Sequence, residues 1–127
     1  MKQIISTPKA PSAIGPYNQA TAFDKLIFTS GQIALDPVTM EIVSGGVQEQ
    51  TRQVMENLKA VLEEAGSSFE NVLKTTCYLS DMDNFVAFNE IYGQYFKGET
   101  APARSTIAVK TLPKNVLVEV DTIAFKN

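Results

Sequence analysis

The segment from Gly46 to Ser80, GVQEQTRQVMENLKAVLEEAGSSFENVLKTTCYLS, decides the fold because it joins a helix pattern to a strand pattern. Residues 46–65 repeat apolar side chains at helical spacing, opposite charged and amide side chains, which predicts an amphipathic helix that stops at Gly66. Residues 71–80 alternate in the manner of a β-strand. One face of this predicted strand consists of Leu73, Thr75, Cys77 and Leu79. A helix packed on a sheet is therefore expected.

A second helix is predicted after this strand. Ser80–Asp83 has the spacing of a helix-entry box, and the helix is expected to run to about Lys97. Asn89 falls inside the apolar stripe of this helix, where a buried amide needs a hydrogen-bond partner. The residues alone leave open whether this partner is a backbone group or part of a functional site. The stripe is formed by Phe85, Phe88, Tyr92, Tyr95 and Phe96.

Further strands complete the predicted sheet. Leu26–Ser30 is a β-branched and aromatic run that ends at Gly31. Two more strands, at about Ala103–Val109 and Val116–Phe125, are separated by a turn-forming segment and are expected to pair as a hairpin. The last strand carries large apolar residues on both faces, whereas two helices cover only one face of a sheet. We therefore expect an oligomer whose subunits pack their sheet faces together.

The composition indicates one folded domain spanning residues 1–127, because 44% of the residues are hydrophobic and 20% are charged. The formal charge of −3 and the lack of any Lys/Arg-rich run disfavour nucleic acid as a partner and favour a small molecule. No apolar run approaches the length of a membrane-spanning helix, and the N-terminus has no signal-like apolar region. A cytoplasmic location is expected.

The chain contains no histidine, so catalysis here must use carboxylate, arginine, tyrosine, hydroxyl, amide or backbone groups. Its single cysteine, Cys77, has apolar strand neighbours and is interpreted as a core residue rather than a nucleophile. Neither a metal site nor another cofactor is expected.

Three residues are candidates for chemistry. Arg104 follows small residues at the start of a strand, and its guanidinium could bind a planar anion. Equally, it could form an ion pair with Glu119 or Asp121. Glu119 lies among apolar residues, so it is either paired with an arginine or held as a general acid or base. Gly31 could offer its backbone amide to a carboxylate, or it could simply form a turn.

Five motifs occur in an order that resembles one protein family, the RidA/YjgF family of reactive-intermediate deaminases. The resemblance extends from about Ile4 to Phe125. It implies a chorismate-mutase-like α+β subunit, with a mixed sheet and two helices on one face. It also implies a homotrimer with three ligand clefts at the subunit interfaces. The motifs are Ala13–Ala20, Thr29–Ile33, Lys74–Thr76, Pro102–Ser105 and Leu112–Lys114.

The resemblance also implies an activity, the hydrolysis of 2-imino acids to 2-oxo acids and ammonia. Substrates of this class are 2-iminobutanoate, 2-iminopropanoate and enamine tautomers such as 2-aminoacrylate, which pyridoxal-phosphate dehydratases release. Arg104 matches the family residue that clamps the substrate carboxylate, with the amide of Gly31 nearby. Glu119 matches the acid that positions or activates the attacking water. The cleft-lining positions are matched by Tyr17, Ser30 and Asn89.

Some positions depart from the family pattern: Asn18 stands where Ser is common, and Asp24 and Met40 stand where Gly is common. Thr106 replaces a frequent Cys, and regular alternation puts it on the same strand face as Arg104, so it is a further candidate for substrate contact. The substrate side chain that such a cleft prefers stays open.

Two other functions remain as alternatives. The same cleft would serve a regulatory protein that binds a 2-oxo acid or an amino acid without turnover. An endoribonuclease, translation inhibitor or chaperone-like role is less favoured, because an acidic chain without histidine lacks the usual groups for RNA cleavage.

Overall fold

A six-stranded β-sheet and two α-helices form the structure, a computed structural model that describes residues 1–127. The strands are β1 (Gln3–Ile5), β2 (Ala20–Phe23), β3 (Leu26–Thr29), β4 (Val72–Leu79), β5 (Ala103–Ala108) and β6 (Val118–Phe125). The helices are α1 (Val47–Glu64) and α2 (Phe85–Tyr92). Neither helix is long and apolar enough to cross a membrane.

The strands lie in the order β1-β2-β3-β6-β4-β5, so the last strand of the chain is inserted into the middle of the sheet. β4 pairs with β6 in antiparallel and with β5 in parallel orientation, and α2 provides the crossover that a parallel pair requires. The hairpin predicted for β5 and β6 is therefore wrong. Both strands pair with β4, which lies between them, and the turn-forming residues Pro113–Asn115 connect non-adjacent strands.

Both helices pack on one face of the sheet, as the sequence predicted. Residues Val54, Leu58 and Leu62 of α1 and Phe88 of α2 join the same core of 21 buried residues as the inward side chains of the strands. At the N-terminus of α1, the carboxylate of Glu49 accepts a 2.8 Å hydrogen bond from the backbone N–H of Gly46. The predicted α1 and the α+β class are thus confirmed, with ends within one residue of those expected.

A bulge in β4 changes which residue enters the core at its start. The register against β6 shifts between Val72 and Lys74, so Val72 is buried while Leu73 is 48% exposed. The prediction that Leu73 shares a face with Thr75, Cys77 and Leu79 is wrong, because the extra residue at the bulge interrupts the alternation. Beyond the bulge Thr75, Cys77 and Leu79 face the core as expected.

The second helix is shorter than predicted. A 3-10 turn (Met82–Asn84) precedes α2, which ends at Tyr92 instead of continuing to Lys97. The side chain that caps this entry belongs to Asp81, which accepts a 2.8 Å hydrogen bond from the N–H of Asp83, while Ser80 continues the sheet through its bond to Leu117. The aromatic residues beyond α2 still pack into the core from turns, which reproduces a helix-like apolar spacing without a helix.

The other face of the sheet has no covering layer within the chain. It presents large apolar side chains that are 37–57% exposed. A continuous apolar face of this kind is typical of an interaction surface. These residues are Ile4, Phe23, Leu26, Phe28, Ile107 and Phe125. We call this surface the open face.

Candidate active site

The first part of the candidate site is a cleft of ≈ 470 Å³ that we call the Glu119 cleft. The loop before β2, the end of β3 and the turn before β6 form its walls. Lys114 and Glu119 are the two charged residues among its lining side chains. The cleft also contains three further residues that the sequence nominated: Tyr17, Ser30 and Gly31.

Gly31 lies against the side chain of Glu119. The next residue, Gln32, forms a two-way antiparallel backbone bridge with Val120, with N···O distances of 2.9 and 3.2 Å, and this bridge holds the segment of Gly31 against β6. A Cβ atom on Gly31 would lie 2.1 Å from Oε2 of Glu119. Gly31 is thus more than a strand stop, since only glycine permits this close approach.

The loop that carries Tyr17 is held by a buried amide that the sequence analysis did not single out. Gln19 accepts a 2.6 Å hydrogen bond from the N–H of Thr7, and its Nε2 donates to the carbonyl oxygens of Thr7, Ala10 and Pro11. The carbonyl groups of a proline-rich loop are not satisfied by regular secondary structure, so they need side-chain donors. A glutamine close to such a loop was the sequence signal that could have identified this role. Gln19 therefore shapes one wall of the Glu119 cleft.

Tyr17 and Ser30 both face this cleft, but their hydroxyls differ in availability. Tyr17 is 48% exposed, and its hydroxyl oxygen accepts only a long 3.5 Å hydrogen bond from the N–H of Ile14. The hydroxyl of Ser30 donates a 2.5 Å hydrogen bond to the carbonyl oxygen of Asn18. Tyr17 is thus free to contact a ligand, while Ser30 ties β3 to the loop.

Glu119 is a carboxylate in an environment that favours its protonated form. Burial raises its pKa above the ordinary range, and the negative charge of Asp121 raises this pKa further. No arginine or lysine forms an ion pair with it. A carboxyl group whose pKa lies closer to neutrality exchanges protons more readily at physiological pH, which suits general acid–base chemistry.

Arg104 belongs to a second, separate cleft of ≈ 390 Å³ beside α2, which we call the Arg104 cleft. Its Nη1 donates a 2.7 Å hydrogen bond to Oδ1 of Asn89. The guanidinium carbon lies 4.8 Å from the ring centre of Tyr92 and 5.4 Å from that of Phe85. These contacts hold the guanidinium over the two rings, and no carboxylate of the chain pairs with it. The arrangement leaves Arg104 able to bind a planar anion.

Asn89 is half-buried in α2 and has found its partner in this arginine. Of the two partners that the sequence left open, the structure thus shows the side chain of Arg104 and not a backbone group. Thr106 lies on the same sheet face as Arg104, opposite Cys77 in the β4–β5 pair. Its Oγ1 is the one buried side-chain oxygen or nitrogen without a hydrogen-bond partner.

Cys77 is fully buried under the helices. Burial raises the pKa of its thiol to about 11, so the nucleophilic thiolate is scarcely populated at neutral pH. The interpretation of Cys77 as a core residue agrees with this position. No group of three or more His, Cys, Asp or Glu side chains is arranged to hold a metal ion.

Arg104 and Glu119 do not meet within one chain. Arg104 shares the helix-covered face with Thr75, its neighbour across β4–β5, whereas Glu119 lies on the open face opposite Tyr78. Strand β4 separates their two strands. The ion pair of Arg104 with Glu119 or Asp121 that the sequence left open is therefore wrong for a single chain. The candidate residues therefore belong to two clefts. Arg104 and Asn89 line the Arg104 cleft, and Thr106 lies on the same side of the sheet. The Glu119 cleft is lined by Tyr17, Ser30, Gly31 and Glu119.

This fold and these two clefts define a class of small α+β proteins with an arginine that no carboxylate pairs with and a half-buried carboxylate. The sequence profile of the family described as endoribonuclease L-PSP matches residues 7–126 of the chain. The chain belongs to this family, which includes the Rid proteins, and the resemblance found in its motifs is confirmed.

Individual relatives align over nearly the whole chain. The RutC family protein slr0709 of Synechocystis is 58% identical and covers 96% of this chain and 95% of its own. The human 2-iminobutanoate/2-iminopropanoate deaminase is 46% identical over 99% of this chain and 91% of its own. The crystal structure of E. coli TdcF with bound serine superposes with a TM-score of 0.92 at 42% identity, covering 98% of this chain and 99% of that one.

Proposed function

We propose that this protein hydrolyses 2-imino acids, such as 2-iminobutanoate, 2-iminopropanoate and their enamine tautomers, to 2-oxo acids and ammonia. The observation that carries the proposal is the guanidinium of Arg104, held by Asn89 and Tyr92 and paired with no carboxylate of its own chain. A fixed, unpaired guanidinium recognises a substrate carboxylate. The mammalian relatives named as deaminases of these imines support the choice of substrate class.

The complete site requires two copies of the chain. We propose that the Arg104 cleft of one subunit joins the Glu119 cleft of its neighbour in a homotrimer, which yields three equal sites. The separation of the clefts on opposite faces of the sheet supports this arrangement, and so does the open face, whose apolar side chains need cover. In such an assembly each subunit contributes its Arg104 cleft to one site and its Glu119 cleft to another.

The chemistry needs no metal or other cofactor, because the iminium carbon is already electrophilic. Arg104 binds the substrate carboxylate, with the N–H of Gly31 as a second donor and Thr106 as a contact on the Arg104 side. The ionised carboxylate of Glu119 takes a proton from water as the water oxygen bonds to C2, and the electron pair of the C=N bond moves to nitrogen. Glu119 then returns this proton to the amino nitrogen. Ammonia leaves with the C–N bonding pair as the C2 hydroxyl gives its proton to the ionised Glu119 and becomes the carbonyl, and Glu119 then passes this proton to the departing ammonia.

Binding without turnover is the second candidate, and one observation favours it. A relative of the same fold, E. coli TdcF, has been solved with serine bound, so an amino acid occupies a protein of this class. The Arg104 contact would serve a bound amino acid or 2-oxo acid equally well. The half-buried Glu119 supports turnover over the binding of a 2-oxo acid, since such an anion gains nothing from a second acid beside it. A bound amino acid has an ammonium group that can pair with Glu119, so the measurement of turnover separates that case.

The family's descriptive name raises the question of ribonuclease activity. The chain has no histidine and a net charge of −3, and the Glu119 cleft contains a single cation, Lys114. These features do not favour the binding of several phosphates.

We assign the imine activity to the cytoplasm, because the lone buried thiol fits a reducing compartment.

The direct test generates 2-iminobutanoate from threonine with a threonine dehydratase and traps it with semicarbazide. The wild-type protein is expected to lower the yield of trapped adduct, and Arg104→Ala is expected to leave it high. If the wild-type protein leaves trapping unchanged for imines from several amino acids, the hydrolase proposal fails. Titration with 2-oxo acids would then test the binding alternative.

The shared site has its own test. Arg104→Ala and Glu119→Gln are each expected to be inactive alone, because each destroys one half of every site. When the two variants are unfolded and refolded together, about a quarter of the interfaces join two intact halves, so about a quarter of wild-type activity returns. Mixing without refolding is the control. Continued inactivity after co-refolding would place both residues in one subunit's site and would contradict the shared cleft.

A further inference from the structure

Two carboxylates lie side by side on the open face of β6. Glu119 and Asp121 are two residues apart, so their Cα atoms are about 7 Å apart on the same side of the strand. Tyr78 of β4 lies directly opposite Glu119 in the register of the sheet. Its hydroxyl nevertheless reaches diagonally and donates a 3.0 Å hydrogen bond to Oδ2 of Asp121.

This diagonal bond gives the two carboxylates different roles. Burial raises the pKa of Asp121, while the hydrogen bond from Tyr78 and the charge of Lys74 oppose this rise and favour the ionised form. Glu119 has no such donor, and the charge that bears on it most is that of Asp121. Tyr78 therefore orients and stabilises a negative charge beside a carboxyl group that is itself free of partners.

We propose that Asp121, oriented by the hydroxyl of Tyr78, is a positioning residue that sets the proton affinity of Glu119. This inference rests on the proposed imine hydrolysis, in which Glu119 accepts and returns a proton. Asp121 touches no substrate in this scheme and acts only through Glu119. The repulsion between the two carboxylates makes Glu119 a stronger base than a lone carboxylate in the same place.

The other titratable groups around Glu119 do not replace this effect. Titratable groups face it from β4, from β6 itself, from the loop before β2 and from the turn before β6, while the segment after β3 contributes the backbone of Gly31. Lys114 lines the same cleft without forming an ion pair with Glu119, and Tyr78, whose pKa is raised by burial, is uncharged at neutral pH. Asp121 is thus the one neighbouring anion. The groups are Lys74, Tyr78, Asp121, Tyr17 and Lys114.

The inference is tested by following the titration of the Glu119 carboxyl carbon by NMR in the full-length protein. Asp121→Asn removes the charge and keeps the size, and it is expected to move the midpoint of Glu119 to lower pH by about half a pH unit. Tyr78→Phe leaves Asp121 less easily ionised, so we expect a smaller shift in the same direction. Glu64→Gln, an equal change of charge at an exposed position of α1, is the matched control and is expected to leave the midpoint unchanged.

The pH dependence of kcat/KM for 2-iminobutanoate supplies the second measurement. Ionised Glu119 is the active base, so activity falls below its pKa, and this acid limb is expected to move downward in Asp121→Asn together with the NMR midpoint. A midpoint in both variants equal to that of Glu64→Gln overturns the inference, even if the wild-type enzyme hydrolyses imines. Absence of turnover by the wild-type protein overturns the proposed function instead, whatever the midpoint does.

Discussion

A Cβ atom on Gly31 would lie 2.1 Å from Oε2 of Glu119, so the backbone of residue 31 and the carboxylate of residue 119 occupy adjoining space. The segment of Gly31 is held against β6 at the next position, where Gln32 and Val120 exchange backbone hydrogen bonds. The position of the Glu119 carboxylate therefore depends on the absence of a side chain at Gly31 as well as on strand β6.

Gly31→Ala is expected to displace the Glu119 carboxylate and to lower kcat/KM for imine hydrolysis by about 10–100-fold, because a catalytic group moved by an ångström loses its alignment. The matched control is Gly46→Ala, since a Cβ atom there meets nothing closer than 3.8 Å. Steady-state kinetics with both variants checks this. Equal activity of the two alanine variants would show that the position of Glu119 does not matter.

Arg104→Lys keeps the charge of the clamp and removes its planar fork. We expect an increase in KM of about tenfold, because lysine can neither donate two parallel hydrogen bonds to a carboxylate nor lie flat on Tyr92. Arg52→Lys, at an exposed position of α1, serves as the control. A KM equal in both variants would remove Arg104 from substrate binding.

Stability is expected to fall at high pH because of Cys77. Burial raises its pKa from an ordinary 9.0 to about 11, so the folded state keeps a proton that the unfolded state loses. The resulting contribution is present below pH 9 and is lost as the pH rises towards 11, by about 2–3 kcal/mol.

Urea unfolding from pH 8 to 11 checks this prediction. The free energy of unfolding of Cys77→Ala is expected to decline less steeply than that of the wild type, although its value at pH 8 is lower because of the lost packing. The remaining decline near pH 11 belongs in part to Tyr92, whose pKa burial raises to about 12. Parallel curves for both proteins would contradict a buried, protonated thiol.

Met40→Gly is expected to stabilise the fold by about 1 kcal/mol. Met40 has φ = 60° in the turn after Asp36, a left-handed conformation that costs a residue with a side chain and suits glycine. Thermal unfolding should show a melting temperature a few degrees higher. Thr39→Gly is the control, because Thr39 has no positive φ and glycine there is expected to destabilise the turn. A melting temperature that falls equally in both variants would contradict backbone strain at Met40.

The departures from the family pattern thus contained structural information that the sequence alone did not explain. Asp24 and Met40 stand where glycine is common, and both have a positive φ, of 52° and 60°.

The sequence predicted the helices, the core face and the need to cover a second face because these follow from local periodicity. It did not predict the bulge at Leu73, since a bulge depends on pairing with β6.

The error with most effect on the site was the β5–β6 hairpin. Proximity in sequence favours pairing, but α2 crosses from β4 and delivers β5 in parallel to the other side of β4. A hairpin would have placed the strand of Arg104 directly beside that of Glu119. Instead, the pairing of the strands in the folded sheet separates the two residues, and the spacing of the motifs along the chain does not predict this separation. The residues of the site were therefore predictable one by one, while their division between two clefts was not.

The central position of β6 affects how this chain matures during synthesis. The ribosome makes β6 last, yet β3 and β4 both need it as a neighbour. A nascent chain of about 117 residues therefore holds two unpaired strand edges and cannot close its sheet, whatever its helices do. The sheet therefore closes only after β6 has been made, and a chain that stops before Val118 would be an aggregation-prone product rather than a weakened form of the protein.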